Sequence, residues 1–304
     1  MLKVFYQLLL ICLFINLSFS QEKILFVGHA YGNPLEKDRI VDPTLKEFLK
    51  DKNYKLIYGG DFVQLNEEEE IQNFLKFNSK FNYVLVPGNH DVNIKIFDHQ
   101  KIRFETYNNS LFIYLNTNFN NPKNIKEAVS IIKKEISKNF KNILIFSHQL
   151  FYSESIFDIW TNSRTNYDLC NKFYKEVINH LKASNKNIFI YSGDIGAFKS
   201  IPYAYFHKNK NIEYFAVGLG NGINNKAIEI QLSESDEVIN KFIDLNSSTR
   251  EDPDKYSRLR IKLYQLPKLI VFVFKSYYYI LFLPIIIVGY KVYKKYYGSV
   301  KTSL

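Results

Sequence analysis

The chain is predicted to fold as a layered α/β domain, and three features of the sequence carry that expectation. Short apolar runs of strand length alternate with segments of helical apolar spacing across residues 24–183. Five of the apolar runs lead directly into residues that can hold a metal, and ligand sites in α/β proteins gather at the carboxyl ends of strands. From residue 188 onward the strand patterns follow one another without helices, which predicts mixed sheets in that half.

In chain order, the apolar runs place strands at Ile24–Val27, Lys55–Tyr58, Tyr83–Val86, Leu111–Leu115, Ile143–Phe146, Ile188–Tyr191, Ile212–Val217 and Lys226–Leu232. Helical spacing places helices at Pro43–Asp51, Glu67–Phe77, Pro122–Asn139 and Asp168–Ala183. The acidic run Glu67–Glu70 opens the second helix, where negative charge suits the helix dipole, and reads as a solvated first turn. No internal repeat is visible.

With 304 residues, of which 46% are hydrophobic and 16% aromatic, the chain can bury a core without covalent staples. Its cysteines, Cys12 and Cys170, offer no disulfide framework, because Cys12 lies in a segment expected to be removed. Cys170 is expected to be a buried thiol. The net charge of +10 is spread along the chain rather than gathered into a stripe, so nucleic acid is not the expected partner.

Both ends point to a membrane. Lys3, the apolar stretch 4–17 and Ser18-Phe19-Ser20 form a signal peptide or uncleaved anchor over residues 1–20. Residues 269–290 are nearly all apolar and long enough for a transmembrane helix, with Lys275 placed to snorkel and the tyrosines 277–279 suited to an interface. A buried or membrane-surface helix is the competing reading of that stretch. The organisation expected is therefore a domain over 21–246, a juxtamembrane linker over 247–268, the span, and a basic tail over 291–304. Basic residues flank the span on both sides, so the N-terminal segment decides orientation: domain outside the cytoplasm, tail inside, lipid bilayer as partner.

The chemistry is concentrated at the strand ends. These read Gly28-His29, Gly59-Gly60-Asp61, Gly88-Asn89-His90-Asp91, Ser147-His148 and Gly193-Asp194. Taken singly, a Gly-Asp is a turn and a histidine after a strand is a hydrogen-bonded residue. Together they supply imidazole, carboxylate and amide oxygen donors to one cleft, with a His-Asp pair that can be an oriented proton donor. That combination points to metal-assisted phosphate chemistry.

Over residues 23–232 the series resembles the calcineurin-like metallophosphoesterase family, whose motifs run Asp-x-His, Gly-Asp, Gly-Asn-His-Asp or Glu, a later His, and Gly-His-x-His. The resemblance implies a four-layer αββα sandwich and two metal ions about 4 Å apart that activate water for attack on phosphorus. Carried over, Asp61 is the carboxylate shared by the two ions, Asn89 and His148 are ligands of one, and His29 is a ligand of the other. His90 protonates or electrostatically stabilises the leaving oxygen and is held in orientation by Asp91.

Two motifs depart from the pattern. Val27 stands where the family has aspartate, and in Gly193-Asp194-Ile195-Gly196 an aspartate and a glycine replace the two histidines. One ion thus keeps Asp61, Asn89, His148 and Asp194, while the other keeps Asp61 and His29. A tightly held divalent metal with a weaker second one is expected, and the donors do not choose among Mn, Fe, Zn and Mg. Asn33 or Asn224 could complete the weaker position.

Beyond the motifs, residues 149–166 are long enough to wall the cleft, with Arg164 available to a phosphate. Packing of Trp160 in the core and a surface ion pair at Arg164 is the alternative. The glycine-rich 218–222 stretch reads as a tight turn. The expected activity is hydrolysis of a phosphate mono- or diester; the competing expectation, motivated by Val27 and Gly196, is a non-enzymatic binding module on the same sandwich.

Overall fold

The computed structural model describes residues 23–32, 40–65, 67–91, 94, 102–118, 122–150, 167–195, 204–219 and 225–297. They form two compact units that divide after Arg258. The first unit holds, in chain order, β1 (Lys23–Val27), α1 (Pro43–Phe48), β2 (Lys55–Gly59), α2 (Glu68–Asn78), β3 (Asn82–Val86), β4 (Ile102–Tyr107) and β5 (Ser110–Leu115). There follow α3 (Pro122–Ile136), β6 (Asn142–Ser147), α4 (Tyr167–Lys182), β7 (Asn187–Ser192), β8 (Ala204–Asn209), β9 (Ile212–Val217), β10 (Lys226–Leu232), β11 (Val238–Asp244) and β12 (Arg250–Glu251). A 3-10 turn at Pro253–Tyr256 precedes the last helix, α5 (Arg258–Tyr297).

The strands make two mixed six-stranded sheets among the described residues. The first has the order β12-β11-β10-β1-β2-β3, with β1, β2 and β3 parallel and the rest antiparallel. The second, β4-β5-β6-β7-β9-β8, has a parallel centre edged by antiparallel β4 and β8. Strand periodicity sends alternate residues to opposite faces. Ile24 and Phe26 of β1 accordingly join Phe112, Phe146, Tyr191 and Phe215 in a core between the sheets, while Leu25 and Val27 join Leu45, Phe48, Ile71 and Phe74 under α1 and α2.

An aromatic row locks the second sheet in register. Tyr114, Phe146, Tyr191 and Phe215 lie directly opposite one another on β5, β6, β7 and β9, and their rings stack at 5.4, 4.8 and 5.4 Å between centroids. Each such pair contributes about 0.5–1.5 kcal/mol beyond burial. On the outer face, Tyr174 of α4 meets Tyr214 of β9 edge-on at 6.2 Å, and α3 packs beside α4. Helices, sheet, sheet and helices thus follow in layers, consistent with the expected sandwich.

The strand expectations hold within a residue or two, and four further strands appear. β4, β8 and β11 read as polar-apolar mixtures because each lies at or next to a sheet edge and shows part of itself to solvent. β12 lies in the segment expected to be a linker. It pairs with β11, and Arg250 forks onto the buried Glu229 at 2.7 and 2.9 Å while Tyr54 Oη donates to the same carboxylate at 2.6 Å.

Helix α5 is 40 residues long, about 60 Å at 1.5 Å per residue, and includes Pro267 and Pro284. Its backbone is helical throughout the stretch 269–290 read as a span, but the side chains of 269, 272–274, 276–281, 283 and 285 lie outside the described residues. Among the described residues no helix is long and apolar enough to cross a membrane. The N-terminal segment 1–20 also lies outside the described residues.

Candidate metal centre

The strand ends are brought together by backbone conformations that most residues avoid. After β1 and β2 the chain turns through His29 at φ 49°, Gly60 at φ 86° and Asp61 at φ 51°. The left-handed conformation at His29 and Asp61 costs about 1–3 kcal/mol each and persists where surrounding contacts impose it. Gly193 lets the end of β7 press against β2: a Cβ there would stand 1.9 Å from the Gly59 carbonyl oxygen. The crossing delivers His29, Asp61, His148 and Asp194 to one point, all of them buried.

At that point four donor atoms face one another. His29 Nε2 lies 3.5 Å from Asp61 Oδ2 and 3.5 Å from Asp194 Oδ1, and His148 Nε2 lies 3.4 and 3.8 Å from the same two oxygens. Both imidazoles are oriented from behind: His29 Nδ1 donates to Ile195 O at 3.0 Å and His148 Nδ1 to Gly59 O at 2.8 Å. A carbonyl oxygen only accepts, so Nδ1 carries a hydrogen in each ring and Nε2 is the nitrogen that faces the cluster. Histidine ligands are held in this way at metal sites.

The spacing tests the fit of a metal. Four donors at about 2.1 Å around a tetrahedral ion stand about 3.4 Å apart. The observed 3.4–3.8 Å separations are too long for good hydrogen bonds and close to that edge. Among the described residues Asp194 Oδ2 is buried without a hydrogen-bond partner, a further acceptor available to a cation. His29, Asp61 and His148 could therefore hold a divalent ion, with Asp194 Oδ1 3.5 and 3.8 Å from the two imidazoles and the Asn89 amide oxygen 3.0 Å from His148 Nε2 beside them.

Electrostatics says the same of the metal-free cluster. Burial disfavours a charged imidazole, yet the close approach of the Asp194 and Asp61 carboxylates outweighs it and raises His29 to about 9. The same opposition, with the charges of Asp61 and Asp194 winning, raises His148 to about 10. Burial alone would raise the Asp61 carboxyl, but His148 and then His29 hold it well below the usual carboxylate range. Protons thus stand in for a cation, each imidazolium sharing the carboxylates.

Residues 88–91 wrap the cluster from one side. His90 N donates to Asp61 Oδ1 at 3.0 Å, which leaves Asp61 Oδ2 for the centre. Asp91 does not orient the His90 ring as expected. Its Oδ2 accepts from Asp61 N at 2.8 Å and Gly88 N at 2.7 Å, so this buried carboxylate ties the β2 and β3 turns together. Burial and then the Asp61 charge push Asp91 up to about 7. The His90 ring is exposed and instead donates from Nδ1 to Gln64 O at 3.2 Å.

Of the expected site residues, His29, Asp61, Asn89, His148 and Asp194 converge, with His90 at the rim and Asp91 behind. The expected division into a fuller and a poorer position is not what the distances display, since His29 lies as near to Asp194 as to Asp61. Arg164, Trp160, Gly196, Asn33, Asn224 and the Cys170 side chain lie outside the described residues. Tyr31 was not anticipated: its ring is 6.0 Å from His29 and 6.4 Å from His90, and burial together with the Asp61 charge pushes its phenol up to about 12. Gln149 and Asn118 were missed too; Asn118 Nδ2 donates to Gly88 O at 2.9 Å and Gln149 Nε2 to Asn118 Oδ1 at 3.4 Å, propping the Gly88 turn. A polar residue next to His148 was the available signal for Gln149.

No curated protein matches the chain. Solved structures that match include a conserved uncharacterized protein, described as a predicted phosphoesterase, from Streptococcus pneumoniae TIGR4. It is 9% identical with a TM-score of 0.34, over 77% of this chain and 94% of that one, too loose a likeness to place residues. The model of the calcineurin-like phosphoesterase family matches residues 38–218, a range that starts after His29 and takes in Asp61, Asn89, His90, Asp91, His148 and Asp194. With more than half of its length matched, the chain belongs to the calcineurin-like phosphoesterase family.

Proposed function

We propose that this chain is a metal-dependent hydrolase of phosphate mono- or diesters, held at a membrane with its catalytic domain outside the cytoplasm. The observation that carries the hydrolase reading is the pair of imidazoles whose Nδ1 hydrogens are committed to backbone carbonyls while both Nε2 atoms face Asp61 and Asp194. A divalent ion held by His29, Asp61, His148 and Asp194 would supply positive charge for the phosphoryl oxygens and acidify water.

The chain's own residues do the rest. His29 and His148 keep their lone pairs on the cluster because their other nitrogen is engaged. Asp61 is fixed at both ends, its N–H on Asp91 and its Oδ1 on the His90 N–H, so its Oδ2 cannot swing away. His90, with Nδ1 engaged and the ring at the surface, keeps Nε2 for giving a proton to the leaving oxygen.

Anchoring rests on the sequence of α5, apolar over 269–290, and on the exposure of its described apolar side chains, including Val271, Phe282, Ile286 and Val288. So much exposed apolar surface on one helix suits hydrocarbon. The signal-like segment 1–20 supports the orientation.

Metal content measured together with turnover of generic phosphomono- and phosphodiesters tests the chemistry. Metal-dependent turnover is expected; bound metal without turnover would favour the binding-module reading. A protease outside right-side-out vesicles should digest residues 21–260, and protection alongside a digested external control would sink the topology.

A further inference from the structure

The acidic run that opens α2 contains one residue that solvation does not explain. Glu67, Glu68 and Glu69 are exposed, whereas Glu70 is buried with its carboxylate fully used. Its Oε1 accepts from Gln64 N at 2.6 Å and its Oε2 from Leu65 N at 2.9 Å. Taking a carboxylate out of water is costly unless its hydrogen bonds are good, and these two bonds fix the turn that follows Asp61.

That turn supports the proton donor. The carbonyl of Gln64, whose N–H Glu70 grips, accepts the His90 Nδ1 hydrogen at 3.2 Å. Because the carbonyl can only accept, this bond commits a hydrogen to Nδ1 and leaves the Nε2 end of the ring to serve a leaving oxygen. His90 is exposed, so few packing contacts hold its ring; a surface imidazole otherwise spreads over its rotamers. Its backbone is already tied to the centre through Asp61 Oδ1. The ring direction is the remaining freedom, and the Gln64 carbonyl removes it.

We infer that Glu70 is a positioning residue for proton transfer by His90, acting through the 64–65 turn and the Gln64 carbonyl. The inference rests on the phosphoesterase reading. In the step it supports, a water oxygen bonds to phosphorus and releases a proton to solvent as the bond from phosphorus to the leaving oxygen breaks, His90 gives its Nε2 proton to that leaving oxygen, and the ring is left neutral with its Nδ1 hydrogen still on Gln64. Glu70 acts on the 64–65 backbone, one step removed from His90. A purely structural Glu70 would cap the start of α2 and matter equally whether or not His90 is present.

A double-mutant cycle separates the two roles. Wild type, Glu70→Gln, His90→Ala and the double variant are compared, with Mn2+ supplied, on an alkyl phosphate ester and on an activated aryl ester. Nitrogen-15 NMR of the histidine rings in the metal-free protein reads the His90 tautomer directly. Glu70→Gln is expected to lower kcat on the alkyl ester about ten- to a hundredfold with little change in KM, to spare the aryl ester, and to add nothing to His90→Ala. The His90 spectrum should move from a single Nδ1–H form toward a mixture. Equal losses on both esters, equal losses in both backgrounds, or an unchanged His90 spectrum would overturn the inference. If the wild type turns over neither ester, the phosphoesterase reading fails, and the spectrum alone decides whether Glu70 holds the ring. Should Glu70→Gln fail to fold, Glu70→Asp, which keeps the charge but shortens the reach, takes its place with the same outcomes.

Discussion

Raising the pH of the chelated protein perturbs the centre without touching a residue, and the size of the effect follows from the imidazoles. His29 is lifted from 6.5 to about 9, which at about 1.4 kcal/mol for each pH unit is worth about 3 kcal/mol of stability. His148, lifted from 6.5 to about 10, is worth about 5 kcal/mol by the same conversion. Both draw on Asp61 and Asp194, so the contributions overlap and their total is less than the two together. The sign follows from the direction: a folded-state value above the unfolded one gives stability that is complete below about pH 6.5 and is lost as pH rises through 9 to 10. Urea unfolding in excess chelator should show the wild type losing at least about 3 kcal/mol between pH 6 and pH 10. His29→Gln should show a clearly smaller loss over the same interval, which removes the general alkaline contribution from the comparison. Equal pH slopes for the two proteins would refute the claim that His29 is held as an imidazolium between two carboxylates.

Other substitutions probe the supports of the centre. Asp91→Ala strands the buried N–H groups of Asp61 and Gly88 and should cost about 3 kcal/mol in urea unfolding, whereas Asp91→Asn, which keeps an acceptor for both, should cost much less. Val27→Asp, which would restore the family's aspartate, should destabilise by several kcal/mol, because Val27 packs in the apolar cluster under α1 and α2; a rise in metal stoichiometry with unchanged melting temperature would show that the carboxylate reaches the centre. His90→Ala should leave metal content intact and slow esters with poor leaving groups by about two to four orders of magnitude, with activated aryl esters affected less; loss of metal would assign His90 another role.

The centre was legible where its signal is local. His29, Asp61, Asn89, His148 and Asp194 each follow an apolar run directly, so strand end and donor are read in one short stretch. The partners of those donors were not legible, because they come from chain closure. Asp91 looked like the neighbour of His90, yet its carboxylate reaches Asp61 N, 30 residues away, and that contact exists only once β2 and β3 lie parallel in register. Gln64 serves through its carbonyl, which every residue has, and Glu70 is the one member of an acidic run that the turn before α2 buries. The same holds for the fold. Strands buried on both faces, such as β5 and β6, read as continuous apolar runs, whereas β4 and β11, partly exposed, do not. Val27 shows the limit of motif reading: its position in the sequence aligns with a metal ligand, while the strand's alternation puts its side chain under the helices.

The position a metal takes in the crystal decides most directly whether the cluster is a metal centre. Crystals of the protein soaked in Mn2+ or Zn2+ and measured at the metal's absorption edge should show one strong anomalous peak per chain, bounded by His29 Nε2, Asp61 Oδ2, His148 Nε2 and Asp194 Oδ1. A peak held by other residues, two peaks of equal occupancy, or none with metal in large excess would contradict it.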